Sequence, residues 1–230
     1  MQLKAQNNSI LCDSQKFEKL AKTKTYEYIK CIKCGLIFTN PLPIMEEDEM
    51  NKFYEKSFYS TCKDMNKFNK HNFNLLYPVY EKQFNIFNRY LKGNNILDFG
   101  CGVGYFLFAR GKKGFNCLGI EISKEAAKYT QNQLGVKVLT SEKEAEALPS
   151  DYFDGVRIAH VLEHLSNPVA TLNKINRILK RNGILEIRIP NPYCLLTHLT
   201  NLYHRITGNY KTNKYSCTVC VSISYLCVSV

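Results

Sequence analysis

The chain has 230 residues, 45% of them hydrophobic, with ten cysteines and a formal net charge of +11. This length holds one ordinary α/β domain with a small module at one end, and the apolar content is enough to build a core. No stretch reaches the roughly 18 apolar residues of a membrane span, and the first ten residues lack a signal peptide's apolar run. We therefore expect a cytoplasmic protein with no membrane span.

The cysteines and the positive charge each leave two interpretations open. Disulfide frameworks belong to short secreted chains, so the sequence favours reduced thiols, some of them binding metal. The charge suits a nucleic-acid, anionic-lipid or phosphorylated partner, or only a solvated lysine-rich surface. Because the lysines are scattered rather than clustered, the solvated surface is favoured.

Residues 1–45 form a small knuckle-like module. Cys31 and Cys34, followed by a glycine, have the spacing of half a zinc site. Cys12 offers a third thiol, but its expected partner three residues further on is Gln15. A fourth ligand would have to come from elsewhere, with Cys62 and His71 as candidates. The sequence therefore favours a degenerate module without metal over one that binds zinc.

Residues 46–92 are predicted to form a helical linker or lid. Aromatic and aliphatic side chains recur at intervals of three and four, the spacing of one buried helix face. They are Phe73, Leu76, Tyr80, Phe84, Phe87 and Tyr90. Lys92-Gly93-Asn94 then ends the helix.

Residues 93–230 alternate between apolar runs and helical stretches. The predicted strands are Asn95–Phe99, Asn116–Ile120, Val136–Leu139, Phe153–Ala159 and Ile184–Ile189. The predicted helices run from the first loop to about Lys112, from Lys124 to Leu134 (with Gly135 as C-cap) and from Asn167 to Leu179, with Asn182-Gly183 as an exit turn. This order predicts an α/β, Rossmann-like fold: a mostly parallel sheet flanked by helices, with the first strand near its centre.

A glycine-rich loop follows the first predicted strand, with Gly100, Gly102 and Gly104 at alternate positions. Ligands of open α/β sheets collect beyond the carboxyl ends of the strands, and glycines there let the backbone approach a ligand. The dinucleotide pattern G-x-G-x-x-G fails, because counted from Gly100 its third glycine would be Tyr105. The loop therefore argues against a dehydrogenase.

Two acidic residues frame this loop. Asp98 stands two residues before the first glycine, which suits a ligand with a cationic amino-acid end and no pyrophosphate. Glu121 ends the second strand, where a carboxylate can accept hydrogen bonds from both hydroxyls of a ribose.

The loop resembles the first motif of class I S-adenosylmethionine-dependent methyltransferases, written LD-x-G-C-G-x-G. Further along, Leu162-Glu163-His164-Leu165 is similar to the Leu-Glu-His-Leu signature of one subfamily, and a Leu-Lys-x-x-Gly turn and a strand ending in Pro-Asn follow in the same order. Ubiquinone-pathway O-methyltransferases and methyltransferases of sugar and polysaccharide gene clusters share this run. The resemblance covers about residues 90–192.

The resemblance implies S-adenosyl-L-methionine as the cofactor. The residues that it assigns to cofactor binding are Asp98, Gly100, Cys101, Gly102, Gly104, Glu121, Glu144, Ala145 and His160. Among these, Glu144 falls where an acid bonds the adenine amino group, with Glu146 as an alternative, and the Ala145 N–H falls where it reaches the ring. His164 is the candidate general base, although a role in orienting the loop is favoured over a catalytic one.

The carboxyl-terminal end departs from the family pattern. The family has seven strands and this sequence has five recognisable ones, so we expect a truncated or divergent end. Tyr215–Val230 has strand character, and we expect it to pair beside the fifth strand, within the chain or across a homodimer, because an exposed edge invites aggregation.

Some members of the family carry an N-terminal four-cysteine ribbon, which the knuckle of Cys12, Cys31 and Cys34 resembles in part.

Three functions follow as hypotheses. The favoured one is methyl transfer to a small-molecule acceptor: a sugar, a polysaccharide intermediate or a quinone-like compound. The second is an RNA or protein methyltransferase, but no RNA-binding signature is present, which argues against a nucleic-acid partner. The third is a non-catalytic cofactor-binding remnant.

Overall fold

A computed structural model describes residues 2–44, 49–50, 52–53 and 77–189, except 79, 83 and 86. These residues form two small antiparallel sheets and one larger parallel sheet. Within the described ranges, no helix combines the length and the apolar character needed to cross a bilayer.

The amino-terminal module contains five short strands. They are β1 (Gln2–Lys4), β2 (Phe17–Lys22), β3 (Glu27–Cys31), β4 (Ile37–Asn40) and β5 (Leu42–Ile44). Strand β1 pairs with β5, and β2, β3 and β4 form an antiparallel meander. Its small core comprises Ile29 and Phe38, with the Phe17 ring against Phe38 at a centroid distance of 5.6 Å.

The larger sheet has five parallel strands. They are β6 (Asn95–Phe99), β7 (Asn116–Ile120), β8 (Lys137–Leu139), β9 (Phe153–Ala159) and β10 (Leu179–Arg188). Their spatial order is β10-β9-β6-β7-β8, so β6 is central. The predicted α/β class, the parallel sheet and the central first strand are confirmed.

Four helices connect these strands. They are α1 (Tyr105–Gly111), α2 (Lys124–Leu134), α3 (Glu142–Glu146) and α4 (Pro168–Ile178). Local chemistry fixes the ends of α2: the Ser123 side chain accepts from the Ala126 N–H, and Gly135 closes the helix with a left-handed φ of 68°. Helix α4 begins with an Asn167 cap and a proline at its first turn.

The prediction for the fifth strand was wrong at its start. Strand β10 begins at Leu179, directly after α4, so the expected exit turn at Asn182-Gly183 lies inside the strand. Leu179 pairs with Phe153, and the regular register resumes only at Ile184. Asn182, with a left-handed φ of 61°, lies in the bulge between these two paired stretches, where four residues of β10 stand opposite Asp154 of β9. Glycine and asparagine mark a bulge as readily as a turn, so the sequence did not distinguish them.

The core lies on both faces of the sheet. Ile96 and Leu97 are neighbours in β6 and enter opposite clusters, because side chains alternate along a strand. One cluster includes Phe84 and Phe87 from the helical residues between 77 and 88. Gly155 in β9 permits this packing, since a Cβ there would lie 2.5 Å from the Phe87 ring.

The aromatic helix face was predicted only in part. Phe84 and Phe87 are buried, whereas Tyr90 follows the helical residues and is 47% exposed, so its place on the buried face was wrong. Phe73 and Leu76 fall outside the described residues, as do Cys62, His71 and the predicted strand Tyr215–Val230.

Candidate functional site

The glycine loop joins β6 to α1 and has a left-handed backbone at three alternate residues. The φ angles of Gly100, Gly102 and Gly104 are 76°, 54° and 71°. The N–H groups of Gly100 and Cys101 both donate to the Ile120 carbonyl, at 2.8 and 3.0 Å, and so tie the loop to the end of β7. This conformation strains any residue with a Cβ.

The three glycines face different surroundings. A Cβ on Gly100 would lie 2.2 Å from Val161 Cγ2, and one on Gly104 would lie 2.2 Å from Thr130 Cγ2. A Cβ on Gly102 would meet nothing within 4 Å. Gly100 and Gly104 therefore allow close packing, whereas Gly102 borders open space.

Glu121 holds the Gly102 peptide in place. Its carboxylate accepts from the Gly102 N–H at 2.8 Å and from the Ser123 N–H at 2.9 Å. In the next peptide unit, Thr130 Oγ1 donates to the Gly102 carbonyl at 3.0 Å. Burial raises the pKa of Glu121, and the two backbone donors oppose that rise. Glu121 therefore lies against the glycine loop, and its contact with a ribose stays a prediction.

Asp98 is buried and paired with an arginine that sequence reasoning missed. Arg157 Nη1 lies 2.9 and 3.1 Å from the two Asp98 carboxylate oxygens. Burial raises the pKa of Asp98, and Arg157 opposes the rise. The available signal was the charge of Arg157 among the apolar residues of the second half of strand β9, since a buried charge needs a partner.

The Asp98–Arg157 pair extends to the neighbouring strand. Asp98, Arg157 and Glu186 are register partners across β6, β9 and β10. Arg157 Nε lies 3.6 Å from Glu186 Oε2, and Arg188 Nε donates to Glu186 Oε1 at 2.6 Å. Two carboxylates and two guanidinium groups therefore balance inside the sheet.

Glu144 and Ala145 begin the stretch that follows β8. The Glu144 carboxylate completes a capping box with Ser141 at the start of α3 and also accepts from the Thr140 N–H at 2.9 Å. These bonds lower its pKa. The Ala145 N–H donates to the Ser141 carbonyl at 3.2 Å. Both groups are thus engaged within α3, and an adenine contact from either stays a prediction.

The two predicted histidines follow β9. His160 has a left-handed φ of 58°, and its N–H donates to the Arg188 carbonyl at 2.9 Å. Its Nδ1 lies 3.6 Å from Glu163 Oε1. His164 is exposed and closes a 3-10 turn. Because Val161 contacts Gly100, this segment borders the glycine loop.

The predicted site residues thus gather at one edge of the sheet. Gly100, Glu121 and His160 directly follow the carboxyl ends of β6, β7 and β9, and Glu144 lies in α3, shortly after the carboxyl end of β8. These strands are neighbours and parallel, so the residues share one rim, where ligands of open α/β sheets bind.

The three predicted metal-binding cysteines are also brought together. The sulfur atoms of Cys12, Cys31 and Cys34 all lie within 4.8 Å of one another in the amino-terminal module. Backbone N–H groups, those of Cys34 and Lys33, lower the pKa of Cys31 to about 6. Sequence reasoning missed Ser9, whose hydroxyl lies 3.3 Å from the Cys34 sulfur.

The chain is similar to known proteins over about half of its length. The chain is 32% identical over 112 residues to protein MJ1123 of Methanocaldococcus jannaschii, covering 48% of this chain and 52% of that one. It is 30% identical over 117 residues to the ubiquinone biosynthesis O-methyltransferase of Aeromonas salmonicida, covering 46% and 49%. The chain thus spans about half the length of the curated relatives it matches.

One solved structure is similar to part of the chain, and a family model matches more than half of it. The crystal structure of a SAM-dependent methyltransferase from Archaeoglobus fulgidus matches 55% of this chain and 58% of that one, with a TM-score of 0.46 and 29% identity. Residues 68–216, more than half of the chain, match the family model described as "Methyltransferase domain". The chain therefore belongs to the methyltransferase domain family.

Proposed function

We propose that the loop from Gly100 to Gly104 binds S-adenosyl-L-methionine and that the chain transfers the methyl group to a small-molecule acceptor. The supporting observation is the surroundings of Gly102. This residue has a left-handed backbone beside open space, and its N–H donates to the Glu121 carboxylate. If the loop only turned the chain, a side chain at position 102 would have room. If a ligand lies against the backbone there, the position must have no side chain.

The residues at the rim fit such a cofactor. Glu121 is a carboxylate with two oxygens, each of which accepts one backbone N–H bond, so lone pairs remain for the hydroxyls of a ribose. Gly100 and Cys101 keep the loop against β7, which presents its backbone rigidly. Asp98 lies two residues before Gly100 and is held by Arg157, and we assign it a positioning role beside its predicted ligand role.

The chemistry asks little of the protein beyond positioning. When bound, the cofactor supplies a methyl group on a sulfonium, so the leaving group is already activated. The chain must align the acceptor and exclude water. For a hydroxyl acceptor a proton must also leave, and His160 and His164 lie at this rim and are candidates to accept it. His160 lies near Glu163, which would stabilise a protonated imidazole.

For the acceptor, the name of the Aeromonas relative and the Leu-Glu-His-Leu run both favour a hydroxyl-bearing small molecule. A quinone-like phenol, a sugar and a polysaccharide intermediate all belong to this class. The test is the fate of radiolabelled methyl groups in a lysate with and without the protein. Label in the small-molecule fraction is expected, whereas label confined to RNA or protein would overturn the acceptor assignment.

Cofactor binding is tested by calorimetry with S-adenosyl-L-methionine, its demethylated product and NAD. We expect heat with the first two only. Glu121→Gln should weaken binding by on the order of 10- to 100-fold, because an amide cannot accept from both backbone donors and the ribose. Glu125→Gln, at an exposed position in the first turn of α2, is the matched control and should bind normally. Binding of NAD alone, or equal affinities for both variants, would contradict the proposal.

A further inference from the structure

Two loops of the amino-terminal module have the same backbone hydrogen bonds. In the first, the Ser9 N–H donates to the Ser14 carbonyl at 2.9 Å and the Asp13 N–H donates to the Ser9 carbonyl at 2.9 Å. In the second, the Cys31 N–H donates to the Leu36 carbonyl at 2.8 Å and the Gly35 N–H donates to the Cys31 carbonyl at 2.9 Å.

The two loops also share a left-handed fifth residue. Asp13 has a φ of 55° and Gly35 a φ of 75°. Matched position by position, Cys12 corresponds to Cys34, and Ser9 corresponds to Cys31. The module therefore holds two equivalent knuckles, S-x-x-C and C-x-x-C, and the fourth corner lies three residues before Cys12 rather than after it.

The four side chains of these equivalent positions meet. The Cys12 and Cys31 sulfurs are 3.6 Å apart, and the Ser9 hydroxyl is 3.3 Å from the Cys34 sulfur. Zinc bonded tetrahedrally to thiolates at about 2.3 Å places the sulfurs about 3.8 Å from one another. Ser9 and Cys31 are fully buried, and a hydroxyl in that position contributes no apolar packing.

We propose that Cys12, Cys31 and Cys34 bind one Zn²⁺ ion and that the Ser9 hydroxyl occupies the fourth ligand position. Zinc is the divalent ion that such a small thiolate-rich tetrahedral cluster favours. A neutral hydroxyl is a poorer ligand than a thiolate, so the site binds zinc more weakly than four cysteines would. The first knuckle, which lacks a second cysteine in the sequence, thus has the backbone geometry of the second, with the Ser9 hydroxyl in place of a thiolate.

The experiment measures metal binding by the full chain under reducing conditions, without reference to catalysis. The metal-stripped protein is titrated with Co²⁺, whose visible spectrum reports tetrahedral thiolate ligands, and then with Zn²⁺ against a chromophoric chelator. The expected result is one equivalent bound with a tetrahedral spectrum. Ser9→Cys should tighten Zn²⁺ binding by at least about tenfold, since it supplies a fourth thiolate.

Matched variants separate the site from the other cysteines. Cys34→Ser should abolish stoichiometric binding, whereas Cys117→Ser, in strand β7 of the parallel sheet, should leave it unchanged. Absence of stoichiometric metal in both the unaltered chain and Ser9→Cys would overturn the site. Stoichiometric binding that Ser9→Cys leaves at the same affinity would overturn the assignment of Ser9.

Discussion

Arg157 donates from Nη1 to both carboxylate oxygens of Asp98, at 2.9 and 3.1 Å, inside a sheet where Asp98 is only 1% exposed. Its Nε also lies 3.6 Å from Glu186, which is equally buried. The Arg157 guanidinium group thus lies between two carboxylates on the strands that flank β9, and Arg188 supplies the second positive charge. Because Asp98 lies two residues before the glycine loop, this pairing supports the candidate site.

Arg157→Met should lower the free energy of unfolding by about 3–5 kcal/mol at neutral pH, because it leaves two carboxylates buried beside one remaining arginine. Circular dichroism in increasing denaturant measures the free energy of unfolding. Tryptophan fluorescence cannot be used because the chain has no tryptophan. Arg89→Met, at an exposed position, is the control and should change stability little. Equal stabilities of the two variants would contradict the assignment.

The same variant should show a distinct pH dependence. Burial raises the pKa of Asp98 and Arg157 opposes the rise, so removing Arg157 raises the folded-state pKa further above the unfolded value. A carboxyl of this kind favours folding below its unfolded pKa and loses that contribution as the pH rises through its folded pKa. The deficit of Arg157→Met relative to the unaltered chain should therefore be largest near pH 7 and narrow as the pH falls towards about 4. A deficit that is constant with pH would show that charge is not its cause.

Gly102→Val should abolish binding of S-adenosyl-L-methionine, because the side chain would fill the open space beside the loop. Gly114→Val provides a close control: Gly114 also has a positive φ and nothing within 4 Å of an added Cβ, but it precedes β7 at the opposite end of the strand. Both variants should lose about 1–3 kcal/mol from backbone strain. Calorimetry should find binding lost only in Gly102→Val; normal binding would place the cofactor elsewhere.

Gly104→Ala should destabilise the fold, because its Cβ would lie 2.2 Å from Thr130 Cγ2. Overpacking of this kind costs about 1–3 kcal/mol. Thr130→Ser removes that methyl group and keeps the hydroxyl that donates to Gly102. The double variant should recover part of the loss, giving a coupling energy of about 1 kcal/mol in a double-mutant cycle. Strictly additive effects would argue that the close contact is not the source of the cost.

Alkylation should discriminate among the described cysteines. Burial raises the pKa of Cys117 to about 12 and that of Cys101 well above its ordinary value, so few thiolates form at pH 8. Cys34 is exposed and should react first in metal-free, reduced protein. Mass spectrometry of peptides after brief iodoacetamide treatment measures the order in which the cysteines are alkylated. In denatured protein the cysteines should react at similar rates. Rapid native labelling of Cys117 would contradict its partial burial in β7.

Arg110→Met should raise the free energy of unfolding by about 1–3 kcal/mol, because none of the three guanidinium nitrogens of this buried residue hydrogen bonds within the described part of the chain. Its guanidinium carbon lies 3.2 Å from the centroid of the Phe84 ring, and this cation–π contact offsets part of the cost. Burial lowers the pKa of Arg110 to about 10, so the group remains charged at neutral pH. Lys82→Met, on an exposed helical residue, should have no comparable effect. A destabilised Arg110→Met would show that the charge is compensated.

Features that depend on near neighbours in sequence were predictable. Apolar runs predicted the bounds of strands β6, β7 and β9 correctly. The bounds of helix α2 were also predicted correctly, because Gly135 ends that helix as its C-cap. Features that depend on distant residues were not. The bulge at Asn182 follows from pairing with β9, the role of Arg157 follows from two other strands, and Ser9 is recognisable only beside the second knuckle.

The backbone of His160 brings stability and chemistry into conflict. A left-handed φ of 58° suits glycine better than histidine, by on the order of 1 kcal/mol. A library of variants selected only for heat resistance would therefore gain by replacing His160 with glycine, and would discard the imidazole at the rim in doing so. Under the proposed function, selection for methyl transfer would keep the histidine and accept a less stable protein. Sequencing position 160 after each selection would therefore distinguish the contribution of this residue to stability from its contribution to the reaction.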